Sequence, residues 1–150
     1  MITDEPKENT PRVIVVTAAI VNVEVKRLML AQRGGTTYEW MWGTPGGEME
    51  AGRAESELEA LPRELKEELG VDYLHYGRLG PMVYEQDVDV AKNRIVTVRC
   101  YRVPHTQIWN RYQCLDKTVG IRWVTADELE TVYLTPADDA NRGKLMALLR

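Results

Sequence analysis

The sequence predicts one α/β domain of the α+β kind, a mixed β-sheet held between helical layers as an α-β-α sandwich. Three observations lead there. Arg12 to Val23 is rich in valine and isoleucine, as a buried strand is. Arg94 to Val103 alternates, with Val96, Val98 and Cys100 on one face and Thr97, Arg99 and Tyr101 on the other. Between these runs, Leu58, Leu61, Leu65 and Leu69 recur at helical spacing. Strands before and after a central helix, then a terminal helix, fit a mixed sheet between helical layers. At 150 residues, with no repeat, linker or second domain, one core suffices.

The elements follow in order. Residues 1–10, polar and proline-containing, read as a flexible N-terminal arm, leaving 11–150 as the folded domain. Asn22 to Lys26 is a turn or bulge between the first strand and a second, Arg27–Arg33. Gly34 to Gly47 forms the lead-in to the helix. Proline removes a donor and clashes one turn back, so Pro62 predicts that the regular helix starts near Leu61 or kinks there. Gly70 ends it as a C-cap. A strand is expected near Leu79–Val83, and Glu85 to Asp89 reads as an acidic turn with solvated carboxylates. Residues 104–119 are a connection, with His105 an ordinary strand-end residue. Gly120–Val124 is a short strand. Thr125 with Glu128 three residues on starts a helix, and Thr135-Pro136 starts another. Leu145, Leu148 and Leu149 supply the apolar side of the last one.

Composition narrows the partners. The net charge of −4, without a basic run, argues against a nucleic-acid duplex. The longest apolar stretch, Ile14 to Val23, is interrupted and too short to span a bilayer. Cys100 and Cys114 lack metal-ligand spacing and read as reduced thiols of a cytoplasmic protein.

The helix carries the chemistry. Residues three and four apart share a face, so Glu64, Glu67 and Glu68 point the same way. Adjacent carboxylates repel, which calls for a cation among them, and oxygen-only ligands select Mg²⁺ or Mn²⁺ before zinc. An exposed acidic face is the plain alternative for such a spacing taken alone.

The surrounding residues narrow that choice. Arg63-Glu64-Leu65-Lys66-Glu67-Glu68-Leu69-Gly70-Val71 resembles the Nudix box, GX5EX7REUXEEXGU with U aliphatic. Arg63, Glu64, Leu65, Glu67, Glu68, Gly70 and Val71 match. Trp42-x-x-Pro45-Gly46-Gly47 resembles the lead-in common among Nudix proteins. One departure precedes the box: Gly47 to Arg63 is two residues longer than the pattern. Counted back from Arg63, the early glutamate is Glu55; counted forward from Gly47, its place falls on Arg53. The extra residues therefore lie either in the loop or between Arg53 and Arg63.

The resemblance implies a Nudix-type sandwich that hydrolyses a nucleoside diphosphate linked to another group. It implies a Mg²⁺ cofactor that Mn²⁺ can replace. Glu64, Glu67 and Glu68 match the metal-binding carboxylates, one of which can accept the proton of the attacking water. Arg63 matches the arginine that holds them. A Gly46 or Gly47 carbonyl joins the metal shell, and Gly47, Glu55 and Gly70 are structural in the motif. A later-loop carboxylate is expected at Asp116, with Glu85 and Asp87 as rivals and a solvated surface acid as the alternative. Arg33 meets phosphate or base, or is a solvated strand-end arginine; Thr44 borders the substrate. Leu134-Thr135-Pro136-Ala137-Asp138 resembles the Pro-Ala-Asn or Pro-Ala-Asp segment of MutT-type nucleoside triphosphate pyrophosphohydrolases. Asp138 then contacts the base, or is simply an acid in a first helical turn. The leading expectation is cleavage of a nucleoside triphosphate, an oxidised purine or a pyrimidine, to the monophosphate and pyrophosphate by a monomer or homodimer. ADP-ribose, a dinucleoside polyphosphate and capped RNA rank lower. A non-catalytic nucleotide sensor is the alternative of a different class.

Overall fold

The computed structural model describes residues 11–35, 37–49, 55–73, 79–91 and 94–150. The expected arm at 1–10 lies outside them. The strands are β1 (Arg12–Asn22), β2 (Arg27–Arg33), β3 (Trp42–Gly43), β4 (Gly46–Glu48), β5 (Asp72–Tyr73), β6 (Met82–Ala91), β7 (Arg94–Pro104), β8 (Ile108–Trp109) and β9 (Thr118–Val124). The helices are α1 (Glu57–Leu69), α2 (Ala126–Leu129), α3 (Pro136–Ala140) and α4 (Arg142–Ala147).

The main sheet runs β3-β2-β1-β7-β6, with β4 also on β1 and β9 also on β2. Its β1–β7 pair is parallel and its other pairs are antiparallel, so the sheet is mixed. Two partners share β1: β2 pairs with its end at Val21–Asn22, and β4 pairs with Val15–Thr17. This fork opens the sheet where the functional cleft lies. A small second sheet joins β5 to β8.

Alternation along β1 decides which layer each residue serves. Val16, Ala18 and Ile20 face α1, where Leu61, Leu65 and Leu69 are wholly buried. Ala19 and Val21 face α2, α3 and α4 through Leu129, Leu134 and Leu145. Two apolar layers, one on each side of the sheet, make the sandwich. Leu58 departs from the expected stripe, standing 41% exposed in the first turn of α1.

Three further expectations need correction. Of the two expectations for Pro62, the late start near Leu61 fails: helix α1 begins at Glu57 and carries Pro62 within it. The carbonyl that Pro62 leaves without its donor is that of Leu58, on the exposed first turn, where solvent can serve instead. The acidic run Glu85 to Asp89 is strand, not turn. Cross-strand arginines make this possible: Arg99 binds Glu85 and Arg12 binds Asp87. The last helix is broken at Asn141, whose side chain bonds to the Ala137 carbonyl and to Gln86. The capping box of Thr125 and Glu128 forms, and Pro136 opens α3.

Candidate active site

Helix α1 is pinned at both ends. At its C-terminus Gly70 takes a left-handed conformation, φ 67°, and donates to the Lys66 carbonyl. Gln113 and Leu115 donate from the later connection to the Leu69 and Glu68 carbonyls. That backbone pairing brings Asp116, Lys117 and Thr118 to the acidic face of α1. From mid-helix, Arg63 clamps the segment that leads into the N-terminus. Its Nε and Nη2 donate to the two carboxylate oxygens of Glu55 at 2.6 and 2.9 Å. Nη2 also reaches the Glu48 carbonyl, while Nη1 donates to Glu64 at 2.9 Å and Glu67 at 3.1 Å. The early glutamate facing Arg63 is thus Glu55, which puts the two extra residues between Gly47 and Glu55. Arg53 lies outside the described residues. These carboxylates, Glu55 foremost, hold the guanidinium far above its ordinary pKa.

The three helix glutamates differ in setting. Glu64 is 7% exposed. Its carboxyl packs directly on Gly47, where an added Cβ would come within 2.2 Å of a carboxylate oxygen. Desolvation outweighs the pull of Arg63 and pushes its pKa up to about 7. Glu68 is half-buried and accepts from Thr118 Oγ1 at 2.8 Å. Burial raises its pKa too, and neighbouring Asp116 adds to the rise. Glu67 is exposed. Asp116 therefore stands at the cleft, whereas Glu85 and Asp87 are spent on Arg99, Arg12 and Thr97.

The donor chemistry fits a hard divalent cation. Every candidate ligand is an oxygen, and burial makes two of the carboxylates, Glu64 and Glu68, harder to ionise. Among the described residues no three acidic, histidine or cysteine side chains yet converge on one point. Arg63 lies between Glu64 and Glu67, and Glu68 turns toward Thr118. Sharing one ion would require the glutamate side chains to rotate.

The carboxylates form one end of a cleft of about 540 Å³. Arg33 and Lys117 flank that end; Arg33 Nε donates to the Thr37 carbonyl. The other end is apolar. Strand register sets out its lining: Val96 beside Val88, then Val15 beside Val98, then Thr17 and Tyr84 on either side of the buried Cys100. Asp138 closes the deep end, 2% exposed. It accepts from the Thr44 backbone N–H at 2.7 Å, from Tyr84 Oη at 2.5 Å, and from the hydroxyls of Thr44 and Thr135. Burial raises the pKa of Asp138, and burial beside Asp138 raises that of Tyr84. Gly46 and Thr44 line the passage between the two ends. Tyr84, Lys117 and Thr118 were not singled out as site residues from the sequence. An alternating strand marks Tyr84 as inward-facing, and nothing local marks its bond to Asp138.

The geometry can be set beside known proteins. A family model described as the NUDIX domain matches residues 11–149. This chain belongs to the NUDIX domain family. It is a Nudix hydrolase. A Mycobacterium tuberculosis protein provisionally named 8-oxo-dGTP diphosphatase 2 is 39% identical over 109 residues, spanning 73% of this chain and 69% of that protein. The CTP pyrophosphohydrolase of Escherichia coli is 29% identical over 140 residues, 91% and 94% of the two chains. The solution structure of the Escherichia coli ORF135 protein superposes with a TM-score of 0.77 at 28% identity, covering 96% and 95%. The mixed sheet between helical layers is that of the Nudix fold. Among the described residues no helix is long and apolar enough to cross a membrane.

Proposed function

We propose that this Nudix hydrolase is a Mg²⁺-dependent pyrophosphohydrolase that cleaves a nucleoside triphosphate to the monophosphate and pyrophosphate. The observation that carries the reading is the two-ended cleft: carboxylates and cations at one end, a valine platform with a polar stop at the other. A polyphosphate suits the first end and a planar base the second. The names of the relatives support the same choice, one an 8-oxo-dGTP diphosphatase and one a CTP pyrophosphohydrolase. An oxidised purine or a pyrimidine, drawn from oxidised or surplus deoxynucleotides, is accordingly the proposed base.

Glu64, Glu67 and Glu68 would hold the metal, with the Gly46 carbonyl and Asp116 as further oxygen donors; Mn²⁺ satisfies the same donors. When bound, the metal supplies neutralisation of phosphate charge and a more acidic water. Arg63 positions Glu64 and Glu67. Arg33 and Lys117 draw the phosphate chain toward the carboxylates. One of the glutamates accepts the proton of the attacking water, and the valine platform holds the base. Two free cysteines, one buried and one exposed, suit a reducing cytoplasm.

Glu67→Gln tests the reading. Glu67 is exposed, so the fold should persist while turnover falls at least about 100-fold. Unchanged turnover would remove Glu67 from the site and overturn the metal assignment.

A further inference from the structure

The deep row of the platform holds Thr17, Cys100 and Tyr84 side by side across β1, β7 and β6. A base lying on the valines would direct its polar edge at this row. The obvious reader, Asp138, is already committed. A carboxylate offers about four acceptor positions, and Thr44 N–H, Thr44 Oγ1, Tyr84 Oη and Thr135 Oγ1 take them. Tyr84 spends its proton on Asp138. Thr17 is different. It lines the cleft at 6% exposure, and its hydroxyl is buried with no hydrogen-bond partner among the described residues. Its cross-strand neighbour Cys100 is a weak partner: burial raises the thiol's pKa and the Thr17 hydroxyl lies near enough to pull it back down in part, yet outside hydrogen-bonding geometry.

A buried hydroxyl left unpaired is destabilising, so its retention needs a reason. Turning χ1 exchanges the hydroxyl with the methyl, and a threonine on a strand populates both positions. Turning gives up no more than a weak contact with the Cys100 thiol. Gly46 lies opposite Thr17, and a Cβ there would come within 2.7 Å of the Thr17 Cα, so β4 leaves the threonine just room at the cleft wall.

We propose that the Thr17 hydroxyl makes the direct hydrogen bond to the polar edge of the nucleobase, and that Asp138 acts as a positioning residue that fixes Thr44 and Tyr84 around it. The inference rests on the nucleoside triphosphate reading of the cleft.

Thr17→Val and Thr17→Ser test it by steady-state kinetics on canonical deoxynucleoside triphosphates and 8-oxo-dGTP. Thr17→Val should raise KM for the preferred base roughly 10- to 100-fold with kcat little changed, and should level the ranking among bases. Thr17→Ser, which keeps the hydroxyl, should recover most of the loss. Without nucleotide, Thr17→Val should melt roughly 2–4 °C higher than the wild type, since it removes an unpaired buried group. Unchanged KM and base ranking in Thr17→Val would overturn the assignment. An equal loss in both variants would overturn it too, by tracing the effect to packing. A wild type that hydrolyses none of the triphosphates would instead sink the functional reading, and this inference with it.

Discussion

Replacing Glu55 with glutamine tests how the box is held together. Glu55 and Arg63 are joined by two parallel hydrogen bonds of 2.6 and 2.9 Å, and their side chains are 6% and 15% exposed. Removing one partner of a buried, bidentate pair destabilises by about 3–5 kcal/mol. Glutamine keeps the shape and one acceptor but turns an amide donor toward the guanidinium. That softens the loss to somewhat below this range, about 2–3 kcal/mol. In a protein of this size each kcal/mol shifts the melting temperature by roughly 2–4 °C, so Glu55→Gln should melt roughly 5–10 °C lower. Turnover should fall as well, because Arg63 also positions Glu64 and Glu67. Urea denaturation of Glu55→Gln, Arg63→Lys and the double variant isolates the pair, with an expected coupling above about 1 kcal/mol. Independent effects, additive within about 0.5 kcal/mol, would refute the pairing and with it the placement of the two extra residues before Glu55.

Three other substitutions follow from the same geometry. Burial pushes the pKa of folded Glu64 up to about 7 from the ordinary glutamate value of 4.5, so the stability its protonated form contributes is complete below 4.5 and is lost as pH rises through 7. Glu64→Gln should flatten that decline and leave the metal-free protein about 3 kcal/mol more stable than wild type at pH 8, measured by urea denaturation. Parallel pH profiles would contradict it. Tyr84→Phe removes a donor from buried Asp138 and should destabilise by about 1.5–3 kcal/mol, read by thermal melting; a change under about 0.5 kcal/mol would contradict the bond. Gly47→Ala drives a methyl into the Glu64 carboxyl and should cut turnover at least about 100-fold with the circular dichroism spectrum unchanged. Normal turnover would show that Glu64 does not pack there.

What the sequence disclosed follows from the range of the forces involved. Periodic burial is local, so β1, β2, β7 and α1 can be read from valine runs, alternation and leucine spacing. Caps are local too, as at Gly70 and Thr125. Pro62 misleads because its penalty is set against tertiary contacts: Leu61, Leu65 and Leu69 bury the helix regardless. Glu85 and Asp87 mislead because their partners, Arg99 and Arg12, stand on other strands. In the site, the spacing of Glu64, Glu67 and Glu68 is a helix property and is legible. The choice of Glu55 over Arg53 depends on which side chain meets Arg63, and only the folded geometry shows it. The saturation of Asp138 likewise depends on Tyr84, 54 residues away. A motif carries a residue to the site; its remaining hydrogen-bond capacity emerges when distant strands are paired.

The most direct test of the central claim is the product profile. Canonical and oxidised deoxynucleoside triphosphates, ADP-ribose and a dinucleoside polyphosphate are incubated with the protein, with and without Mg²⁺, and pyrophosphate is separated from phosphate. The account predicts pyrophosphate and the monophosphate from a triphosphate, only when Mg²⁺ is present. Release of single phosphates, equal rates without metal, or silence on every triphosphate would contradict it.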